Sequence, residues 1–343
     1  MALELPPWPL FGLEDDVRPA LRAAMAADQA CALVTLYALD GGGPRPLGAQ
    51  MLLTETSASG FLSGGCVEAD VALHAAETLA DGWPRRLVYG EGSPWPDIRL
   101  LCGARMDLLV ERVSADDPAA LELLHLSDER RPAVWRSDGA RRSVEALDGL
   151  GAGSGCLVDH QPFAIERRYE PVQRLVVVGG DPTALATAQL GAQAGFETTL
   201  VRPKGPADPP ALTGFAYSRA EPADAFRAIG LDPWTGVAVA THDWDVDQAA
   251  LIAALPSEAS YVGVLGARRR LPERLARLRA AGISEASLAR LKGPIGLDLG
   301  GKAPWEVAVA VIGEIIAERT ARLIQRETDG EAAQAEAFGD ALG

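Results

Sequence analysis

The sequence predicts an α/β protein, with an N-terminal mixed α/β domain followed by a Rossmann-like domain built on a parallel sheet. Three observations carry that expectation. From Arg174 onwards, apolar strand-like runs alternate with helical segments, as βαβ units require. The first of these runs, Leu175 to Val178, is apolar at every position, the pattern of a strand buried on both faces of a parallel sheet. It ends in Gly179-Gly180-Asp181-Pro182, a glycine turn where dinucleotide-binding folds place theirs. Before residue 114, by contrast, short β runs and glycine loops surround two helical stretches.

Composition sets the outer bounds. A chain of 343 residues is long enough for two domains, each with its own core. Apolar residues at 48% and charged residues at 23% place it among ordinary globular proteins. The net charge of -15, with no basic stripe, argues against a nucleic-acid partner. Four cysteines in a chain this long are too few for a disulfide scaffold, and no CxxC pair suggests a structural zinc site. The acidic, proline-rich start MALELPPWPLFGLEDD lacks the basic and apolar regions of a signal peptide. No window reaches the ~18 apolar residues of a membrane span. The expectation is a soluble cytoplasmic protein with no membrane segment.

Asp16 to Asp28 reads as a first helix, with Val17, Leu21 and Met25 on one face. Cys31 to Tyr37 has a β pattern, and Cys31 is expected in the core. Gly41 to Gly48 is a loop in which two prolines pre-organise Arg45. Ala49 to Leu53 and Gly60 to Leu62 form a predicted hairpin leading to Ser63-Gly64-Gly65-Cys66-Val67-Glu68. A helix is predicted from Val67, which puts Cys66 and Glu68 in or beside its first turn. Unpaired N–H groups and the positive end of the helix dipole favour a thiolate and an anion there. A tight turn followed by a buried cysteine would show the same local pattern. Further on, Arg86 to Tyr89 and Met106 to Val110 read as strands, with a second thiol at Cys102-Gly103 between them.

Residues 114–170 read as a β-rich linking region, with 1–113 as the N-terminal domain, 171–325 as the Rossmann-like domain and 326–343 as a polar tail expected to fray. Cys156 in the linking region is expected to be structural. In the Rossmann-like domain the GxGxxG fingerprint is broken by Asp181 and Ala184, and Arg202 stands where an acidic ribose ligand is expected. An aspartate in the phosphate turn repels a pyrophosphate, so weak or no NAD binding is expected, while Arg202 could meet the extra phosphate of NADP. Strands Val237 to Ala240 and Tyr261 to Leu265 run into Thr241-His242-Asp243 and Gly266-Ala267-Arg268, turns that belong on one rim with Gly179 and Gly180. Arg268 to Arg270 oppose the dipole at a helix start, a conflict an anion would relieve. His242 is either a hydrogen-bonded turn residue or an acid–base group. Lys292 to Gly301 is a glycine-rich loop, and Pro304 opens a last long helix with Val307, Val311 and Ile315 as its buried stripe.

Taken together, GGGPRPLGAQM, SGGCVE, LLCG, the strand and turn at Leu175 to Gly180, THD, YVGVLGARRR and PIGLDLGGKAPWEVAVAVIGEIIAER resemble the xanthine dehydrogenase accessory factor family, of XdhC/CoxI type. The resemblance spans most of residues 18–320. It implies a chaperone rather than a turnover enzyme. Such a protein binds molybdenum cofactor, as molybdopterin or its cytidine dinucleotide. It supports sulfuration by a cysteine desulfurase, inserts the cofactor into a molybdenum hydroxylase client, and is expected to form a homodimer. It also implies the contact set: Arg45, Gln50, Ser63, Gly64, Gly65, Cys66, Glu68 and Cys102, then Gly179, Gly180, His242 and Arg268, with Cys66 as the metal's thiolate. Soft thiolate suits such a metal, and arginines suit the phosphate. Members often carry GAGH, an acid, a serine and CGG where this chain has Gly179 to Pro182, Arg202, Ala267 and Cys102 to Ala104. An NADP-dependent oxidoreductase using His242 is the competing expectation.

Overall fold

The computed structural model describes residues 3–43, 45–93, 103, 105–147 and 155–340, with 326–340 as backbone only. The chain divides into two compact units, Met1–Pro171 and Val172–Gly343.

The first unit opens with a short 3-10 turn at Leu10–Gly12 and helix α1 (Arg18–Ala26). Strands β1 (Cys31–Asp40), β2 (Gln50–Leu53) and β3 (Ala58–Gly60) precede α2 (Glu68–Asp81), and β4 (Arg85–Tyr89) and β5 (Arg105–Val113) follow it. They form an antiparallel sheet in the order β3-β2-β1-β5-β4. After α3 (Pro118–Asp128), strands β6 (Ala133–Ser137), β7 (Arg142–Ala146), β8 (Cys156–His160) and β9 (Phe163–Tyr169) make a second antiparallel sheet, ordered β7-β6-β9-β8. The expected hairpin forms between β2 and β3, but its second strand is Ala58–Gly60 rather than Gly60 to Leu62.

Side-chain alternation explains why β1 is buried almost throughout. Val34 and Leu36 pack with α2 residues Val71 and Ala75, whereas Cys31 and Leu33 pack with Leu21 of α1, Leu123 of α3, Trp135 and Tyr169. The stretch 118–169, read from sequence as a linking region, therefore shares a core with α1 and β1. Buried Glu111 on β5 anchors that core by accepting hydrogen bonds from Ser137 Oγ at 2.6 Å, Trp135 Nε1 at 3.2 Å and Arg142 Nε at 3.1 Å. Burial nonetheless pushes its carboxyl above the usual range.

The second unit begins β10 (Arg174–Gly179), α4 (Pro182–Gln193), β11 (Glu197–Val201), β12 (Phe215–Ser218), α5 (Pro222–Ile229), β13 (Thr235–Ala240) and α6 (Trp244–Ala254). It continues β14 (Tyr261–Val264), a 3-10 turn at Arg268–Arg270, α7 (Leu271–Ala280), α8 (Glu285–Ala289), β15 (Leu291–Lys292) and α9 (Pro304–Asp340). All sheet pairings here are parallel, in the order β12-β11-β10-β13-β14-β15. In chain order within the unit this is 3-2-1-4-5-6, the Rossmann arrangement. One face packs on α4 and α9 through Ala184, Ala188, Ile312 and Ile315, the other on α5, α6 and α7 through Phe226, Leu251 and Leu278. α9 continues as helix through the segment expected to fray, consistent with its run of alanine and glutamate. Among the described residues, no helix is long and apolar enough to cross a membrane.

Candidate functional site

In the first unit, the chain leaves β3 and winds around one buried pair. Ser63 Oγ donates to Glu68 Oε2 at 2.7 Å, and both residues are buried. Glu68 Oε1 accepts the backbone N–H groups of Ser63 at 2.7 Å and Leu62 at 3.1 Å, while Oε2 also accepts that of Val67 at 3.3 Å. Ser63 Oγ in turn accepts from Gly65 at 3.2 Å, Cys66 at 3.0 Å and Val67 at 3.4 Å. With its polar backbone satisfied from inside, the loop turns Gly64, Gly65 and Cys66 outward, and all three are exposed.

This geometry changes the sequence expectation in two ways. Helix α2 starts at Glu68 with Val67 as its N-cap, so Cys66 stands one residue ahead of the cap rather than in the first turn. Glu68 and Asp70 already place carboxylates in that turn, which offsets the helix dipole that was expected to favour the thiolate. Glu68 is thus a positioning residue for the loop, its carboxylate engaged by the backbone. The two glycines also differ. Gly65 has φ +95°, a conformation that disfavours any side chain. Gly64 lies outside the left-handed region, and a Cβ built on it meets nothing within 4 Å. The fold does not require glycine at 64; its effect is to leave open space beside the thiol.

Gln50 lies buried on β2, where its Nε2 donates to Thr35 Oγ1 at 3.0 Å and its Oε1 accepts from Tyr169 Oη at 2.8 Å. Its amide is used at both ends within the core. Arg45 is partly buried, pairs with Asp15, and keeps a buried Nε without an acceptor. Cys102 lies outside the described residues. Cys31 and Cys156 are buried, and desolvation pushes each thiol up to about 12. Among the described residues, no three His, Cys, Asp or Glu side chains converge as a metal site. A bare ion would find too few ligands at Cys66, whereas a bulky metal complex that arrives with its own ligands would find one accessible soft donor.

In the second unit, the turn after β10 is shaped by packing. A Cβ on Gly179 would lie 2.2 Å from the Ala240 carbonyl oxygen, so glycine is needed for β10 and β13 to approach. A Cβ on Gly180 would lie 2.3 Å from Arg202 Nε, so this glycine makes room for the arginine side chain. Asp181 caps α4, its Oδ1 accepting the Ala184 N–H at 2.8 Å, and its Oδ2 lies 3.0 Å from Nε2 of exposed His242. The helix end that usually meets a phosphate is filled by the chain's own carboxylate. Arg268 is 80% exposed and faces Asp298 at 3.6 Å, outside the neighbouring cleft. That cleft, of about 260 Å³, is lined by Thr241, His242, Trp244, Asp247, Arg269, Arg270 and Arg274, among others. The sequence reading did not single out Arg274. Its position one helical turn after Arg270 was the available signal, because residues four apart share a helix face.

The fold and these sites define a class: a thiol-presenting mixed α/β unit followed in the chain by a Rossmann unit whose usual phosphate turn is self-capped. The chain belongs to the XdhC and CoxI family. Residues 24–90 match the XdhC and CoxI family, and residues 175–315 match the XdhC Rossmann domain. The chain is 32% identical over 311 residues to the molybdenum cofactor insertion chaperone PaoD of Escherichia coli (strain K12), covering 90% of each. It is 23% identical to a protein of Bacillus subtilis (strain 168) named as a probable xanthine dehydrogenase component, over 87% of this chain and 96% of the other. A crystal structure of a protein named as a xanthine dehydrogenase from Bacillus halodurans shares the fold, with a TM-score of 0.69, 22% identity, and coverage of 89% of this chain and 96% of that one.

Proposed function

We propose that the protein is an accessory chaperone that binds molybdenum cofactor through Cys66 and hands it to a molybdenum hydroxylase. The observation that carries this reading is the exposed thiol beside Gly65 and unobstructed Gly64, on a loop braced by Ser63 and Glu68. A thiolate is a soft ligand for molybdenum or its sulfur, and the open backbone admits a cofactor as large as a pterin dithiolene. The 32% identity to an insertion chaperone over 90% of the chain supports it. In the finer reading, the cofactor is molybdopterin or its cytidine dinucleotide, bound transiently. A cysteine desulfurase partner supplies sulfur while the chaperone shields the complex, and the protein acts in the cytoplasm as a homodimer. The competing NADP-dependent oxidoreductase lacks support at its pyrophosphate position, which Asp181 fills, while His242 lies beside that same carboxylate.

The test loads anaerobically purified wild type and Cys66→Ser with cofactor. Bound pterin and molybdenum are measured, and each protein is then supplied to a cofactor-free client hydroxylase. The serine variant should fold normally, retain little molybdenum and restore little client activity. Equal molybdenum retention by the folded variant would remove Cys66 from the site.

A further inference from the structure

We infer that the cleft at the carboxyl ends of β13 and β14 is a binding site for a diphosphate group, replacing the anion site that Asp181 has closed after β10. The inference does not depend on the Cys66 reading. Arg269, Arg270 and Arg274 line the cleft against a single lining carboxylate, Asp247. That carboxylate is already committed: its Oδ1 accepts from Thr241 Oγ1 at 2.6 Å and its Oδ2 from Arg274 Nη2 at 2.8 Å. With one acid balanced by one arginine, two guanidinium charges are left without a carboxylate among the lining residues.

Arg274 supplies the second, independent observation. Its side chain is only 6% exposed, and its buried Nη1 has no hydrogen-bond acceptor. A buried guanidinium donor left unpaired is costly, and an anion seated in the cleft is the partner this surface invites. Trp244 keeps the cations together: the guanidinium carbons of Arg274 and Arg277 lie 4.7 Å from its ring centroid and that of Arg270 lies 5.7 Å away. The tryptophan thus has cations around its ring, and the cleft reads as a phosphate cradle.

The two glycine turns differ in the same direction. Gly179 and Gly266 share φ +155°, but a Cβ on Gly179 strikes the Ala240 carbonyl at 2.2 Å, while one on Gly266 meets only Arg274 Nη2, at 3.8 Å. Backbone is packed shut at the first turn and open beside an arginine at the second. Several guanidinium forks around one cleft suit an anion with several oxygens on two centres, because each fork can engage a separate phosphate. The source is either inorganic pyrophosphate or the diphosphate of a nucleotide ester.

Calorimetry in low-salt buffer with inorganic pyrophosphate, orthophosphate, CDP and CMP tests this on the full chain. Pyrophosphate and CDP should bind at least fivefold tighter than orthophosphate and CMP. The double variant Arg269→Ala/Arg270→Ala alters only exposed side chains, and should weaken diphosphate binding tenfold or more with an unchanged melting temperature. Arg268→Ala should change it less than twofold. CDP binding more tightly than pyrophosphate identifies a nucleotide ester, and equal binding identifies the diphosphate alone; both support the site. No diphosphate binding at millimolar concentration, or binding indifferent to the double variant, overturns it.

Discussion

Ser63 Oγ and Glu68 Oε2 share a 2.7 Å hydrogen bond, and the loop carrying Cys66 is wound around it. The carboxylate accepts that hydroxyl and three backbone N–H groups, an arrangement only an acceptor on both oxygens can satisfy. Glu68→Gln replaces one acceptor with an amide NH₂ that points hydrogens at donors. The expected loss is about 1–3 kcal/mol, because it leaves buried donors unsatisfied. Urea unfolding checks it, and an unchanged midpoint would show the loop does not depend on this carboxylate. Cofactor retention should fall alongside, although the thiol itself is untouched.

Thiol reactivity should follow exposure. Cys66 is exposed, whereas Cys31 and Cys156 are buried and held protonated by desolvation. Limiting iodoacetamide at pH 8 should label Cys66 before Cys31 and Cys156, read by peptide mass spectrometry. First labelling of Cys31 would contradict the burial.

The same two buried thiols give a pH dependence whose sign is fixed by their shift. Each is raised from 9.0 to about 12, so folding favours the protonated form. The stability they contribute is complete below pH 9 and is lost between pH 9 and about 12, as the unfolded chain ionises first. At pH 10 the loss should be roughly 1 kcal/mol per thiol, measured as a lower denaturation midpoint than at pH 8. A midpoint unchanged across that interval would contradict the burial of both groups.

The Rossmann half was legible because buried parallel strands write themselves as apolar runs, as Leu175 to Val178 and Val237 to Ala240 do. The thiol loop was legible from its residue types, but the division of labour within it was not. Glu68 and Cys66 are two positions apart, yet one faces the core and the other solvent, a difference set by hydrogen bonds to Ser63 rather than by any periodicity. Gln50 sits within a matched motif, but its partner Tyr169 is 119 residues away, a contact no local pattern encodes. Strand β12 and helix α5 were missed for a related reason: Phe215–Ser218 is short and only half-buried, and Pro222–Ile229 is a brief helix after a proline-rich loop.

Asp181 makes a prediction about nucleotide binding. Because its carboxylate caps α4 and lies beside His242, NAD should not seat its pyrophosphate in the turn after β10, and any heat it gives up to millimolar concentration should vanish in Arg269→Ala/Arg270→Ala. Asp181→Ala should cost about 1 kcal/mol of stability by removing the cap. Micromolar NAD affinity that survives the double variant would show that the pyrophosphate enters this turn despite the carboxylate.

Gly64 and Gly65 separate ligand approach from loop conformation. At Gly65, φ +95° means that Gly65→Ala should destabilise the protein by about 1–2 kcal/mol, whatever it does to the ligand. At Gly64 the backbone is outside that region and a Cβ meets nothing within 4 Å, so Gly64→Ala should leave the melting temperature unchanged or slightly raised. If molybdenum cofactor lies against this stretch of backbone, the added methyl group occupies the space it needs. Molybdenum retention should then fall in Gly64→Ala despite intact stability and normal alkylation of Cys66. A Gly64→Ala protein that loads as well as wild type, while Cys66→Ser does not, would leave the thiol as ligand. It would move the body of the cofactor away from the glycine pair, towards the side of the loop where the backbone is not approached.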